Sequence, residues 1–244
     1  MSSKGKTITQ QQSEQFVEMC RYLGLKQLAG EYPQLLDQAG KDDPGYYEFI
    51  RQIVLSEAAA KKKRRVEYLI RQSRLPQPLK MLSHFDFDFQ KKLDRRLVMD
   101  LSSMEFIDRK ESILFIGNNG TGKSHLAQSL GLMSCQRGYR TYYTTCSELI
   151  RDLNQGVFEK TLEKRIRKYI NCELLLIDEM GHDRLELQVV KEAHLLLKVI
   201  DQRYKDNKPL IFTSNIQEED WPEFLGDPIS TSAILDRIFH HSVI

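Results

Sequence analysis

Phe16, Met19, Cys20 and Leu23 recur at i, i+3, i+4 and i+7, the spacing of one apolar helix face, and Thr9 and Gln12 just ahead have capping-box spacing. Gly24 marks the end of that helix. A second amphipathic segment runs from about Leu25 to Ala39 and stops at Asp42-Asp43-Pro44-Gly45. A third starts there, is expected to bury Phe49, Ile50, Ile53 and Val54, and continues through a basic run to Arg74, where Leu75-Pro76-Gln77-Pro78 ends it. This predicts a small all-helical domain over residues 1–78.

From about Phe85 the pattern changes. Ile113–Ile116, Thr141–Thr145, Leu174–Ile177 and Leu210–Thr213 are short apolar or β-rich runs, and helical stretches Lys123–Gln136, Glu148–Tyr169 and Val189–Tyr204 separate them. Strands of four or five residues alternating with helices predict a parallel central sheet covered on both faces, an α/β domain over residues 79–244.

Composition narrows the class. Of 244 residues, 41% are hydrophobic and 29% charged, as in a soluble globular chain. No apolar run approaches the roughly 20 residues that cross a bilayer, and the polar start Met1-Ser-Ser-Lys-Gly-Lys lacks a signal-peptide core. A cytoplasmic protein is expected. Cys20, Cys135, Cys146 and Cys172 have no metal-ligand spacing and read as reduced thiols. Residues 1–80 carry fourteen Lys/Arg against nine Asp/Glu, so the overall charge of +2 divides into +5 here and −3 beyond. An excess of that kind points to an anionic partner.

The chemistry begins with Gly117-Asn118-Asn119-Gly120-Thr121-Gly122-Lys123-Ser124, a complete G-x-x-x-x-G-K-[ST] match between a predicted strand and a predicted helix, with His125 directly following. Glycines let consecutive N–H groups point at phosphate oxygens, and the helix N-terminus adds its positive dipole end. Lys123 is then expected to reach the β- and γ-phosphates of ATP and Ser124 to ligate Mg²⁺. Asp178-Glu179 ends the apolar run Leu174–Ile177, at the strand end where ligands of such sheets bind. Asp178 is positioned for the magnesium ion through water, and Glu179 to polarise the attacking water.

Other residues keep two readings. Asn215, closing Thr213-Ser214-Asn215, either orients the lytic water or opens a turn. Arg237 is either an arginine finger for a neighbouring subunit or a helical arginine paired with solvent or Asp236. His240-His241 reads as a surface pair. Lys61, Lys62, Lys63, Arg64 and Arg65 are candidates for DNA phosphate contacts or a solvated surface. Lys160, Lys164, Arg165, Arg167 and Lys168 form a second basic stretch, which Glu159 and Glu163 could neutralise through i,i+4 pairs with Lys164 or Arg167.

Together these motifs resemble the IstB-like ATP-binding family, helper ATPases of insertion-sequence transposition that share an AAA+ module with DnaC-type helicase loaders and DnaA-type initiators. The resemblance spans nearly the whole chain. It rests on Leu-Gly-Leu-Lys26, Glu57-Ala-Ala-Ala-Lys-Lys-Lys-Arg-Arg65 and Phe85-Asp-Phe-Asp-Phe-Gln90 in the N-terminal part. It continues in Gly-Thr-Gly-Lys-Ser-His-Leu-Ala127, Leu-Leu-Leu-Ile-Asp-Glu-Met-Gly181, Gln-Arg-Tyr204, Phe-Thr-Ser-Asn215, Trp221, Gly-Asp-Pro228 and Ile-Leu-Asp-Arg-Ile-Phe-His-His241. It implies an AAA+ P-loop ATPase, with Asn215 as sensor-1 residue and Arg237 as finger. It also implies ATP-dependent self-assembly on duplex DNA and delivery of that DNA to a partner transposase. Two departures accompany it: His182-Asp-Arg-Leu-Glu186 replaces a Tyr-Leu-Pro-type loop, and the sequence reaches Ile244 just where the family usually continues toward a sensor-2-like arginine, which reads either as a trimmed chain or as a minimal lid. A helicase loader shares the core motifs, and a non-hydrolysing nucleotide switch would have no need of Glu179.

Overall fold

The computed structural model describes residues 9–90, 93–180, 190–240 and 242–244. Gly181, His182-Asp-Arg-Leu-Glu186, Val189, His241 and the first eight residues lie outside the described residues. In chain order the helices and strands are α1 Gln10–Tyr22, α2 Lys26–Asp42, α3 Tyr46–Gln72, α4 Arg95–Leu101, α5 Glu105–Asp108, β1 Ser112–Ile116, α6 Lys123–Arg137 and β2 Thr141–Thr145. They continue as α7 Cys146–Phe158, α8 Leu162–Asn171, β3 Leu174–Met180, α9 Val190–Lys205, β4 Leu210–Ser214, α10 Trp221–Leu225, α11 Pro228–Phe239 and β5 Ser242–Val243. Two compact units result, Met1–Arg65 and Val66–Ile244, and α3 runs through the division.

In the first unit the expected capping box is formed: Gln12 N–H donates to Thr9 Oγ1 (3.3 Å) and Thr9 N–H to Gln12 Oε1 (3.0 Å). The N-terminus of α2 has no cap of its own. Glu57, on α3, supplies one by accepting from the N–H groups of Gln27 (2.8 Å) and Leu28 (3.0 Å). Ile50 and Val54, expected inside, are exposed. Phe49, Ile53 and Glu57 form the i, i+4 row that faces α1 and α2, and a row starting one residue later turns about 100° away.

The second unit is built on a parallel five-stranded sheet in the order β2-β3-β4-β1-β5. Its apolar runs have no polar alternation because both faces are buried. Leu174 and Leu176 enter one core with Ala127 and Leu130 of α6 and Ile211 of β4. Leu175 and Ile177 enter the other with Leu149, Leu196, Phe212 and Trp221. Residues 73–75 pack within this unit, where Tyr143 N–H donates to Ser73 O (2.7 Å) and Leu75 is buried.

One predicted helix is two. Glu148–Tyr169 breaks at residues 159–161 into α7 and α8, with Lys160 in the left-handed region at φ 56°. The pairing expected there also differs. Arg165 binds Asp152 (2.5 Å) and Glu159 (2.7 Å), Lys168 binds Asp152 (2.7 Å), and Glu163 meets Lys198 (3.5 Å). Breaking the helix folds α8 back on α7, so ion pairs form across the hairpin rather than along one helix. Among the described residues no helix is long and apolar enough to cross a membrane.

Candidate nucleotide site

Strand β1 delivers the chain to Gly117 and α6 starts at Lys123, so the glycine-rich loop sits at the carboxyl edge of the sheet. Gly120 and Gly122 have φ of 78° and 88°, conformations that an L side chain resists. At Gly122 there is a second constraint, because a Cβ would stand 2.6 Å from Cε2 of Phe85. The Phe85 ring is held edge-on to Phe87 (4.9 Å between centroids) and His125 (5.4 Å), and His125 Nε2 lies 2.9 Å from Met81 O. Segment 81–87 is therefore a wall of the loop. Composition and motif spacing gave it no such role; the one available signal was the Phe-Asp-Phe-Asp-Phe run itself.

Lys123 folds over the loop, donating from Nζ to Gly117 O (2.7 Å), Asn118 O (2.8 Å) and Thr121 Oγ1 (3.5 Å). Thr121 Oγ1 in turn donates to Asn118 O (2.9 Å). Burial lowers the Lys123 pKa, and the Asp178 carboxylate works the other way.

Asp178 is 1% exposed and collects side-chain donors from three elements, α6, β2 and β4. Ser124 Oγ donates to Oδ1 (2.8 Å), Tyr143 OH to Oδ2 (2.8 Å) and Gln128 Nε2 to Oδ2 (3.4 Å). Thr213 Oγ1 also donates to Oδ1. Burial and the adjacent carboxylate push the Tyr143 phenol well above its usual range, so it remains a donor. Such a carboxylate is locked in position. Spacing along the chain does not mark Tyr143, Gln128 and Thr213, because the packing of β2, α6 and β4 around β3 brings them to Asp178. Ser124 and Asp178 offer oxygen donors only, which suits magnesium, an ion that keeps water and phosphate for its remaining positions. Among the described residues no group of three His, Cys, Asp or Glu could hold a metal by itself.

Glu179 owes its position to a bulge. Ile177 pairs with Phe212 and Met180 with Ser214, so Asp178 and Glu179 together oppose Thr213 alone. Glu179 sits at φ 63°, and its N–H donates to Thr213 Oγ1 (3.0 Å) and Asp178 Oδ1 (3.2 Å). A regular strand would alternate Asp178 and Glu179 between the two faces of the sheet. The left-handed residue instead turns an exposed carboxylate out at the sheet edge beside a buried one. Asn215 follows β4 at the same edge, its N–H donating to Met180 O (3.0 Å), and Ser214 Oγ, accepting from Trp221 Nε1 (3.2 Å), fixes the strand end.

Arg237 is not brought to this edge. It shares a small cavity with Ser112 and Leu210, the first residues of β1 and β4, at the amino end of the strands. Strand β1 is five residues long and spans roughly 16 Å at about 3.3 Å per residue. Arg237 Nε donates to Asp201 Oδ1 (2.7 Å) and its NH1 to Ala233 O (2.8 Å), so its acidic partner is Asp201 and not Asp236. Asp201 also meets Lys205 (2.6 Å).

The basic candidates divide as well. Lys61, Lys62 and Lys63 are exposed, whereas Arg64 pairs with Glu57 (2.8 Å). Burial opposes the charge on Glu57, but the N–H of Leu28, Arg64 and the N–H of Gln27 together hold its pKa below the usual range. Lys160 and Lys164 are exposed, while Lys168 is turned to Asp152.

The chain is 38% identical over 231 residues to the ATP-binding protein of insertion sequence IS5376 from Geobacillus stearothermophilus, covering 95% of this chain and 90% of that one. It is 34% identical over 220 residues to the IS21 ATP-binding protein of Pseudomonas aeruginosa, covering 90% and 81%. Among solved structures, DnaI superposes over 70% of this chain and 93% of its own with a TM-score of 0.55 at 18% identity, a likeness of AAA+ fold. A family model described as IstB-like ATP binding protein matches residues 19–244, and the chain belongs to that family.

Proposed function

We propose that this protein is an ATP-hydrolysing AAA+ regulator that assembles on duplex DNA under ATP, delivers that DNA to a partner transposase and stimulates it. The observation that carries hydrolysis is the bulge at Asp178-Glu179, which sets an exposed carboxylate next to the buried one that Ser124 contacts. In this reading the N–H groups of Gly117–His125 hold the phosphates, and Lys123 exchanges its loop carbonyls for phosphate oxygens. Ser124 and Asp178 would hold magnesium. Bound there, Mg²⁺ would neutralise charge developing on the phosphate oxygens. Glu179 takes the proton from the attacking water, and Asn215 orients that water.

The position of Arg237 supports a trans role: at the amino end of the strands it is remote from its own loop, and in this reading it leaves Asp201 to meet a neighbour's γ-phosphate. Lys61–Lys63, Lys160 and Lys164 supply phosphate contacts without a base-reading motif, which makes binding largely sequence-independent. The relatives' names tie them to insertion sequences, which supports a transposase as partner over a helicase.

The test is ATP turnover measured across protein concentration, with and without duplex DNA, beside particle size. Specific activity should rise with concentration and DNA, and Lys123→Ala should neither turn over nor assemble. Concentration-independent turnover would remove the shared site, and mutant assemblies of wild-type size would remove ATP from the assembly step.

A further inference from the structure

Opposite the bulge in β3 stands one residue of β4, Thr213, buried at 1% exposure. Its neighbours Ile211 and Phe212 are apolar and fully buried, and valine would fill the same volume in such a strand. A hydroxyl there is costly unless it is hydrogen-bonded. Both of its bonds go to the acids of the site: Thr213 Oγ1 donates to Asp178 Oδ1 and accepts from Glu179 N–H (3.0 Å). Chemistry fixes these directions, since an N–H only donates and a carboxylate only accepts. Thr213 therefore ties the buried carboxylate to the backbone of the exposed one.

That tie matters because Glu179 sits where an L residue resists sitting. At φ 63° it is in the left-handed region, which a non-glycine residue keeps only where surrounding bonds hold it. Ile177 pairs with Phe212 and Met180 with Ser214 on either side, so the extra residue is left out of the regular ladder. Its N–H goes instead to the Thr213 hydroxyl at 3.0 Å, with Asp178 Oδ1 a longer second acceptor at 3.2 Å. Asp178, by contrast, has Ser124, Tyr143 and Gln128 as further side-chain donors. Loss of the hydroxyl thus falls more heavily on Glu179 than on Asp178.

We propose that Thr213 is a positioning residue for hydrolysis, whose hydroxyl pins the bulge that turns the Glu179 carboxylate out at the sheet edge beside Asp178. The proposal rests on Glu179 as the base that activates water. Thr213 acts through Glu179 rather than on the reacting atoms. Turnover, and not ATP binding, then depends on one buried hydroxyl.

The full chain as wild type, Thr213→Val and Thr213→Ser is compared with ATP, Mg²⁺ and duplex DNA, and each change is repeated in Glu179→Gln. Single-turnover phosphate release resolves the slow background. Thr213→Val should lower kcat about 5- to 150-fold, the range of one buried hydrogen bond left unmade, with KM for ATP and the magnesium midpoint near wild type. Thr213→Ser keeps the hydroxyl and should recover most of kcat. In Glu179→Gln, Thr213→Val should cost almost nothing more, because the carboxylate it positions is already gone. An equal loss in both backgrounds overturns the proposal. So does a loss confined to KM or to the magnesium midpoint, which would make Thr213 a support for Asp178, and so does wild-type kcat in Thr213→Val. Should Thr213→Val not fold, by circular dichroism and particle size, Thr213→Ala takes its place in the same cycle, with the same expected and overturning results. Wild-type turnover by Glu179→Gln alone is a separate failure: it removes the base reading, and the proposal with it.

Discussion

Gly122→Ala tests the loop wall. Two costs add at this position. A side chain at φ 88° adopts the left-handed region, worth about 1–2 kcal/mol against an L residue. The new Cβ also meets the Phe85 ring at 2.6 Å, about 1 Å inside ordinary contact, so the ring must move. Moving it loosens the edge-on contacts with Phe87 and His125, each worth about 0.5–1.5 kcal/mol. The combined cost is about 2–5 kcal/mol. At tenfold per 1.4 kcal/mol it weakens nucleotide binding by up to roughly 30- to 4,000-fold if the loop alone absorbs it. The assay is titration with a fluorescent ATP analogue, run as a double-mutant cycle with Phe85→Ala. Without the ring, Gly122→Ala should cost only the backbone part, about 1–2 kcal/mol. An equal penalty in both backgrounds would refute the packing argument and leave backbone conformation as the sole reason for glycine.

Glu179→Gln should bind ATP normally and lose about 10²–10⁴ in turnover, read by phosphate release against equilibrium binding; wild-type turnover would take the base role away. Arg237→Ala and Lys123→Ala, each nearly inactive alone, should recover activity when mixed, because a finger of this kind is worth about 10³–10⁵ in rate. No recovery despite co-assembly would leave Arg237 as a partner of Asp201 only. The carboxyl of Glu57 has a depressed pKa, so its stabilisation of the helical unit is complete above the usual glutamate range and is lost as pH falls through the lower, folded value. Acid titration of helicity should show that loss in wild type and not in Glu57→Gln; identical profiles would mean that other groups control it.

Local pattern determined a large part of this protein. The Thr9–Gln12 cap, the strand Thr141–Thr145 and the strand–loop–helix around Gly117–Ser124 each depend on residues within a few positions of one another, and each was legible before any tertiary contact was considered. Charge balance and the two-faced burial of Leu174–Ile177 were legible for the same reason. Pairing across the chain was not. Tyr143, Gln128 and Thr213 meet Asp178 only because β2, α6 and β4 surround β3, and no spacing encodes that meeting. The bulge at Glu179 depends on the register between β3 and β4, which one strand cannot specify alone. Arg64 reads as one more cation in a basic run until the fold sets Glu57 against it. Arg237 reads as a finger or a surface charge until the sheet puts it at the end away from its own loop. Short-range periodicity and turn chemistry act through neighbouring residues, whereas the partners of a buried or half-buried charge are set by which elements pack together, and that is decided only when the whole sheet closes.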